Sequence, residues 1–307
     1  MQADFRFDVM GTEAHVLVNG VDAATQADAA RDALDELERR WSRFLPDSEI
    51  SLLNAAGAAP VVVSPSTCCL IARAVDGWRI TNGRFDPTVL GDVVRAGYDR
   101  TFDEVPAATA AGVSDRRRDC GGIEVDENIQ LVRMPPKVAF DPGGIGKGYS
   151  ADLVVSQLMT EGARGACVNV GGDVRVAGRA ADDTAWTIDV MDPFTESSID
   201  RVLVADGGVA TTSRTKRQWT VDGLPAHHVI DPPTGQPAAS GLAAVTAIAS
   251  DAWLAEVFAK AAFVAGLDDG VAFLEEHAIA ALFTDDHGRR VTTTAWARFT
   301  TGVRTAR

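Results

Sequence analysis

Cysteine is scarce in this sequence. There are four in 307 residues, Cys68, Cys69, Cys120 and Cys167, two of them adjacent and none in a Cys-x-x-Cys pair. That usage argues against a zinc site or a disulfide framework and makes a reducing compartment the default. Long apolar runs are missing too, so no membrane span is expected. The opening residues, Met1-Gln2-Ala3-Asp4-Phe5-Arg6, lack a basic stretch followed by an apolar one. No signal peptide is therefore expected; the cytoplasm is the expected location, or an extracytoplasmic one if a leader has been trimmed. Basic charge is short: 29 Lys and Arg stand against 43 Asp and Glu, a net charge of −14. This disfavours nucleic acid as the main partner and obliges any anionic ligand to find a locally positive pocket. Internal repeats and low-complexity linkers are absent.

Hydrophobic residues make up 46% of the chain, enough for a substantial core. The length suits one large domain or two small ones. The pattern predicts two strand pieces over 5–18, broken at Met10-Gly11-Thr12, then a helix from Asp22 to Trp41. Asp47 or Ser48 is placed to cap a short helix, and a second helix runs from Ser66 to Ile80. Residues 99–120 read as a surface excursion, with Arg116-Arg117-Arg118 a solvated face. Hairpins are expected about Glu127-Asn128 and Asp222-Gly223. A strand is expected at 166–170, with Val174, Val176 and Trp186 to Val190 continuing the sheet; 202–204 and 208–213 follow, and 243–249 is a further strand. A nearly uncharged helix, capped by Ser250 or Asp251, follows from Trp253 to Gly266. Helix, strand and strand finish the chain to Phe299. Strands cluster without strict alternation with helices, which favours α+β with mixed or antiparallel sheets and flanking helices.

One stretch organises the rest: Asp141-Pro142-Gly143-Gly144-Ile145-Gly146-Lys147-Gly148-Tyr149-Ser150-Ala151-Asp152. It follows Val138-Ala139-Phe140, read as a strand, and opens a helix. Strand, glycine turn and helix together present bare N–H groups and a positive helix end to an anion. A phosphate-containing ligand held at Lys147 is the functional expectation. The Walker A pattern fails, because Gly148 follows Gly146-Lys147 where Ser or Thr is required. A dinucleotide fingerprint matches only loosely at Gly146-x-Gly148-x-x-Ala151. The plainer alternative is a tight turn whose glycines let a helix pack close to a sheet.

Met10-Gly11-Thr12, Pro46-Asp47-Ser48-Glu49-Ile50, Phe85-Asp86-Pro87-Thr88, the glycine turn, Asn169-Val170-Gly171-Gly172-Asp173, Ala210-Thr211-Thr212-Ser213 and His228-Val229-Ile230-Asp231-Pro232 recur in one order along nearly the whole chain. The ordered set resembles the ApbE-type FAD:protein FMN transferase family. The resemblance implies an ApbE-like, T-fold-like architecture, a single domain over 1–307 or two lobes with the FAD site between them. It implies that FAD is bound and split at its pyrophosphate. The FMN half passes to a threonine of an acceptor protein through a phosphoester, and AMP leaves. By motif, Met10, Phe44, Arg84, Phe85, Asp86, Asp141, Lys147, Asn169, Gly171, Gly172, Asp173, Thr212 and His228 would bind FAD. Phe44 stands where the family usually has tyrosine. Neutralising a pyrophosphate and deprotonating an alcohol call for a cation and a base. Lys147 and His228 are the implied catalytic pair, with His227 the neighbour that could confuse the assignment. His15, His277 and His287 read as structural.

The resemblance also implies Mg²⁺, held by an Asp and a Thr on the last apolar helix with a carbonyl from Gly144. Here Glu256 occupies the Asp position and Lys260 the Thr position. A lysine ammonium offers no lone pair and repels a metal. The expectation is that Lys260 replaces the metal as neutraliser, oriented by Glu256, both facing a cleft. A FAD-binding or redox flavoprotein without transferase activity, or a scaffold that has lost FAD, are the alternatives.

Overall fold

Met10 and Gly11 carry positive φ (54° and 65°) and join the strands Gln2–Val9 and Thr12–Asn19, paired from Val9↔Thr12 outward. Two successive left-handed residues make the tight hairpin turn whose twist suits its strands. Gly171 and Gly172 (φ 65° and 105°) do the same between Gly165–Val170 and Asp173–Gly178. The two hairpins lie side by side through pairing of Thr12–Asn19 with Gly165–Val170. Four more strands, Gly207–Ser213, Leu242–Ala249, Ala280–Asp285 and Arg290–Thr292, complete an eight-stranded sheet. Every pairing in it is antiparallel.

This computed structural model describes residues 1–300, the side chain of Asp103 aside. The described residues divide into two compact units: the first is 1–35, 147–215 and 240–300, the second 36–146 and 216–239. The large sheet belongs to the first unit. Period-two alternation sends Ala166, Val168 and Val170 to one face, where they join Ala27, Ala30 and Leu34 of the Ala23–Trp41 helix and Val154, Val155 and Leu158 of the Gly146–Thr160 helix. Cys167 points to the opposite face, packed with Val174, Val176, Val209 and Ile248. That face is covered by Trp186–Met191 and Ser198–Val204, which pair only with each other. The expectation that Trp186 to Val190 continues the main sheet is corrected. Trp186, Val190, Val202 and Val204 bury their side chains against its face, so they pack on it without joining its ladder.

The second unit holds the Glu49–Ala55 helix, capped by Ser48 as expected (Ser51 N–H to Ser48 Oγ, 3.0 Å), and the Pro65–Ile80 helix. The hairpins Glu124–Asp126 with Leu131–Arg133 and Gln218–Val221 with Leu224–His227 form as read. Residues 99–120 are more than an excursion. Phe102 packs edge-on against Tyr98, and Ala108–Thr109 pairs in parallel with Gln218–Val221. Arg118 is not simply solvated, for its Nε faces buried Asp92 at 3.5 Å. The tail also differs: after Arg290–Thr292 the chain turns into short helical pieces, Thr294–Trp296 and Ala297–Thr300.

Candidate active site

The segment leading into the glycine turn is not a strand. Val138 makes one isolated bridge to Arg117, and Phe140 is held instead by a side chain. Phe140 N–H donates to Asn54 Oδ1 (2.7 Å), and Asn54 Nδ2 donates back to Phe140 O (2.9 Å). One amide thus satisfies both polar groups of a buried backbone that no ladder serves. Asp141 N–H follows suit, donating to Pro87 O (2.7 Å).

The turn's N–H groups are not bare either. Gly143 N–H donates to Asp141 Oδ1 (3.0 Å), Ile145 and Gly146 N–H to Pro142 O (3.1 and 2.7 Å), and Gly148 N–H to Glu256 Oε2 (2.9 Å). At these four positions the expected free donors are therefore already held, three within the turn and one by Glu256. The charge at this corner comes from Lys147.

In the first unit, Lys147 Nζ lies 2.7 Å from Asp173 Oδ2 and 3.5 Å from Glu256 Oε1. Both carboxylates are nearly buried, with 5% and 4% of their side chains exposed, while Lys147 keeps 22%. Burial pushes the Glu256 carboxyl up to about 7; Lys147 opposes that rise, Asp173 adds to it, and Lys260 and the Gly148 N–H oppose it. Met10, Gly171, Gly172, Asp173 and Lys147 converge at one end of the sheet. Gly171 N–H donates to Glu13 O (3.1 Å), and a Cβ on Gly171 would stand 2.7 Å from Thr12 Oγ1. Asn169 serves the turn, its Oδ1 accepting from Gly172 N–H (2.8 Å). Thr212 is buried on the neighbouring strand end, beside Thr211, whose hydroxyl bonds that of Thr246 (2.9 Å). Met10 alone among these pays for its position with a left-handed backbone that side chains avoid.

Glu256 and Lys260 were expected to share a cleft, with Glu256 orienting Lys260. Glu256 is instead turned to Lys147 and the Gly148 N–H. Lys260 acts on the same carboxylate through its charge. This donor set does not suit Mg²⁺. One oxygen of Glu256 accepts from an amide, the other faces an ammonium, and the next side chain is a second cation. Among the described residues no three His, Cys, Asp or Glu side chains are grouped to hold a metal. Gly144, the expected carbonyl donor, is a buried residue of the second unit.

In the second unit, Phe44 and Asp141 share Arg43. Its guanidinium lies 4.2 Å from the Phe44 ring centre and 4.8 Å from that of Tyr98, and its Nε is 3.7 Å from Asp141 Oδ1. The aromatic face expected for stacking is thus partly occupied by a cation. Asp86 Oδ1 accepts from the Thr88 N–H and hydroxyl (2.7 and 2.6 Å), and burial raises its carboxyl above the ordinary value. Phe85 is 2% exposed, so it supports the Asp86 turn from below. Arg84 is half-buried at the same turn, its N–H donating to Thr81 O (3.1 Å).

The two adjacent histidines separate cleanly. His227 is buried, its Nε2 3.1 Å from Ala238 O and its Nδ1 accepting from Val229 N–H (3.3 Å). Those bonds fix a neutral ring that donates at one nitrogen and accepts at the other. His228 is half-buried, with its Nδ1 shielded from solvent. His15 pairs with Asp4 (2.9 Å), and His277 packs on Phe258 and Phe273, which fits their structural reading. Arg43, Asn54 and Asp152 went unassigned from sequence. Only Arg43 carried a local signal, a cation beside an aromatic.

Ser250 or Asp251 was expected to cap the Ala252–Ala265 helix; Asp251 stands at the cap position and makes no side-chain cap bond. Asp152 does so from another helix, its two oxygens accepting from Ala252 and Trp253 N–H (2.9 Å each). No helix among the described residues is long and apolar enough to cross a membrane.

The model of the ApbE family matches residues 10–283. An FAD:protein FMN transferase of Treponema pallidum (strain Nichols) is 31% identical, across 87% of this chain and 80% of its own. One from Vibrio cholerae is 28% identical across 82% and 78%. Among solved structures, the ApbE protein of Thermotoga maritima superposes with TM-score 0.88 at 27% identity, covering 98% of this chain and 99% of its own. The Vibrio cholerae flavin transferase ApbE, at 23% identity and TM-score 0.80 over 97% and 99%, shares the fold.

Proposed function

The chain belongs to the ApbE family, and from that premise we propose that it is an FAD:protein FMN transferase. A threonine hydroxyl of an acceptor protein attacks the FMN-side phosphorus of FAD. The P–O bond to the AMP half breaks, AMP leaves with the bridging oxygen, and the hydroxyl proton passes to His228. Lys147, gathered with Met10, Gly171, Gly172 and Thr212 at one sheet end, is the observation that carries this reading. Phe44, Arg84, Phe85, Asp86 and Asp141 are assigned to the flavin nucleotide by motif. The test is incubation with FAD and a threonine-bearing acceptor: AMP appears and the acceptor gains an FMN group. A yellow protein with reducible flavin and no AMP would instead mark a redox flavoprotein. A colourless protein without FAD affinity would mark a lapsed scaffold.

Lys147 is paired before any phosphate arrives, and Glu256 explains how its charge is released. A pyrophosphate beside Lys147 adds negative charge near a carboxyl already raised to about 7. That charge drives Glu256 to take a proton, leaving Lys147 to the phosphate. FAD binding therefore takes up protons above pH 7, where Glu256 starts ionised, and weakens as pH rises further. Below that range Glu256 is already protonated and uptake fades. Calorimetry in buffers of different ionisation enthalpy measures the uptake; none at pH 8 sinks the account.

Lys260 supplies the second positive charge in place of a metal. FAD affinity is then unchanged by Mg²⁺ or EDTA, and Lys260→Thr introduces a magnesium dependence. If the unaltered protein needs Mg²⁺ for tight FAD binding, the substitution account is wrong.

A further inference from the structure

Two helices of the first unit begin against each other, Gly146–Thr160 and Ala252–Ala265. Each donates its first-turn N–H groups to a carboxylate of the other. Glu256 Oε2 accepts from Gly148 N–H (2.9 Å), and Asp152 accepts from Ala252 and Trp253 N–H (2.9 Å each). Glu256 is four residues after Ala252, and Asp152 four after Gly148, so each carboxylate lies about one turn beyond the N–H groups at which the two helices meet. The two starts are in backbone contact: a Cβ on Gly148 would stand 2.6 Å from Ala252 O. Asp152 is itself held, with 10% of its side chain exposed and Arg175 Nε 3.2 Å away. Arg175 is anchored in turn to Asp206 Oδ1 (2.7 Å) and Gly207 O (3.1 Å).

We propose that Asp152 is a positioning residue: by clamping the start of the Ala252 helix to the Lys147 helix, it sets the Glu256 carboxylate against Lys147 and the Gly148 N–H. Its contribution to transfer rests on the transferase reading above, but the clamp does not. Removing one arm of a two-armed clamp lets the other arm slip. Lys147 then loses its fixed place although Asp152 never touches the phosphate.

The first measurement is amide hydrogen exchange without FAD. In Asp152→Asn, protection falls by about tenfold or more at Gly148 as well as at Ala252 and Trp253. A cap that serves the Ala252–Ala265 helix alone would release Ala252 and Trp253 and leave Gly148 protected, and that result overturns the proposal. The second measurement is steady-state transfer. In the same variant kcat falls by about tenfold or more while KM for FAD stays within about threefold. An unchanged kcat in a variant whose Gly148 has lost protection also overturns it. Asp251→Asn, at the ordinary capping position, leaves both readouts unchanged. Should Asp152→Asn fail to fold, Asp152→Glu keeps the charge and both acceptors and moves them by one methylene. Gly148 protection and kcat must still drop there, and wild-type values for both overturn the clamp. If the unaltered protein releases no AMP, the transferase reading fails, while the exchange experiment still decides the clamp.

Discussion

Lys147→Met is expected to reduce AMP release from FAD by roughly 10²- to 10³-fold, the usual cost of removing one preorganised charge from a phosphoryl or acyl transfer site. The lysine is the cation that Asp173 and Glu256 hold at the sheet end, 2.7 and 3.5 Å away. The turn's N–H groups at Gly143, Ile145, Gly146 and Gly148 do not replace it, because they already have protein acceptors. The same change has a second signature. It leaves two nearly buried carboxylates without their shared cation, and Glu256, already raised from 4.5 to about 7, rises further. A carboxyl raised on folding binds more protons folded than unfolded, so its contribution is fully present below pH 4.5. That contribution is lost as pH rises through the folded value. The variant is therefore expected to be near wild-type stability in acid and to lose Tm steeply towards pH 8. Thermal melts between pH 4 and 8 read this directly. AMP release within about threefold of wild type would remove Lys147 from the transferring machinery.

His228→Ala is expected to lower transfer by roughly 10²- to 10⁴-fold, the range for a general base, with FAD affinity retained within about threefold. The contrast with His227→Ala makes the assignment specific. His227 has its two ring nitrogens occupied by Val229 N–H and Ala238 O, so its loss strands two buried backbone groups. That costs roughly 2–4 kcal/mol of stability, read in urea unfolding. The residual folded enzyme still transfers FMN. His228, half-buried, shows the reverse pattern, with a smaller change in stability and loss of turnover. Equal transfer by His228→Ala and wild type would exclude it as the base.

Much of the architecture was legible because it is written locally. Met10-Gly11-Thr12 marks a break between two strand pieces, Asp222-Gly223 marks a hairpin by a turn dipeptide, and Ser48 marks a cap three residues from its donor. The stripe Ala30, Leu34, Leu37 and Trp41 marks a helix by spacing. Each signal spans at most a dozen residues, so the pattern alone sufficed. The same holds for the residue types of the site: a lysine in a glycine turn, an aspartate after a glycine pair, and adjacent histidines.

What the sequence determined by itself is most of the elements and the chemical kinds at the site, because turn geometry, capping and amphipathic period depend on near neighbours. What only the tertiary structure decided is who partners whom. Lys147 takes Asp173 and Glu256, 26 and 109 residues away. Asn54 replaces a strand ladder at Phe140 from 86 residues off, and Asp152 caps a helix 100 residues on. Such pairings arise when buried polar groups must be satisfied wherever the packed backbone brings a partner within reach. No spacing in the chain encodes that reach, which is why the glycine turn read as an open anion cradle and folded as a corner whose charge is one held lysine.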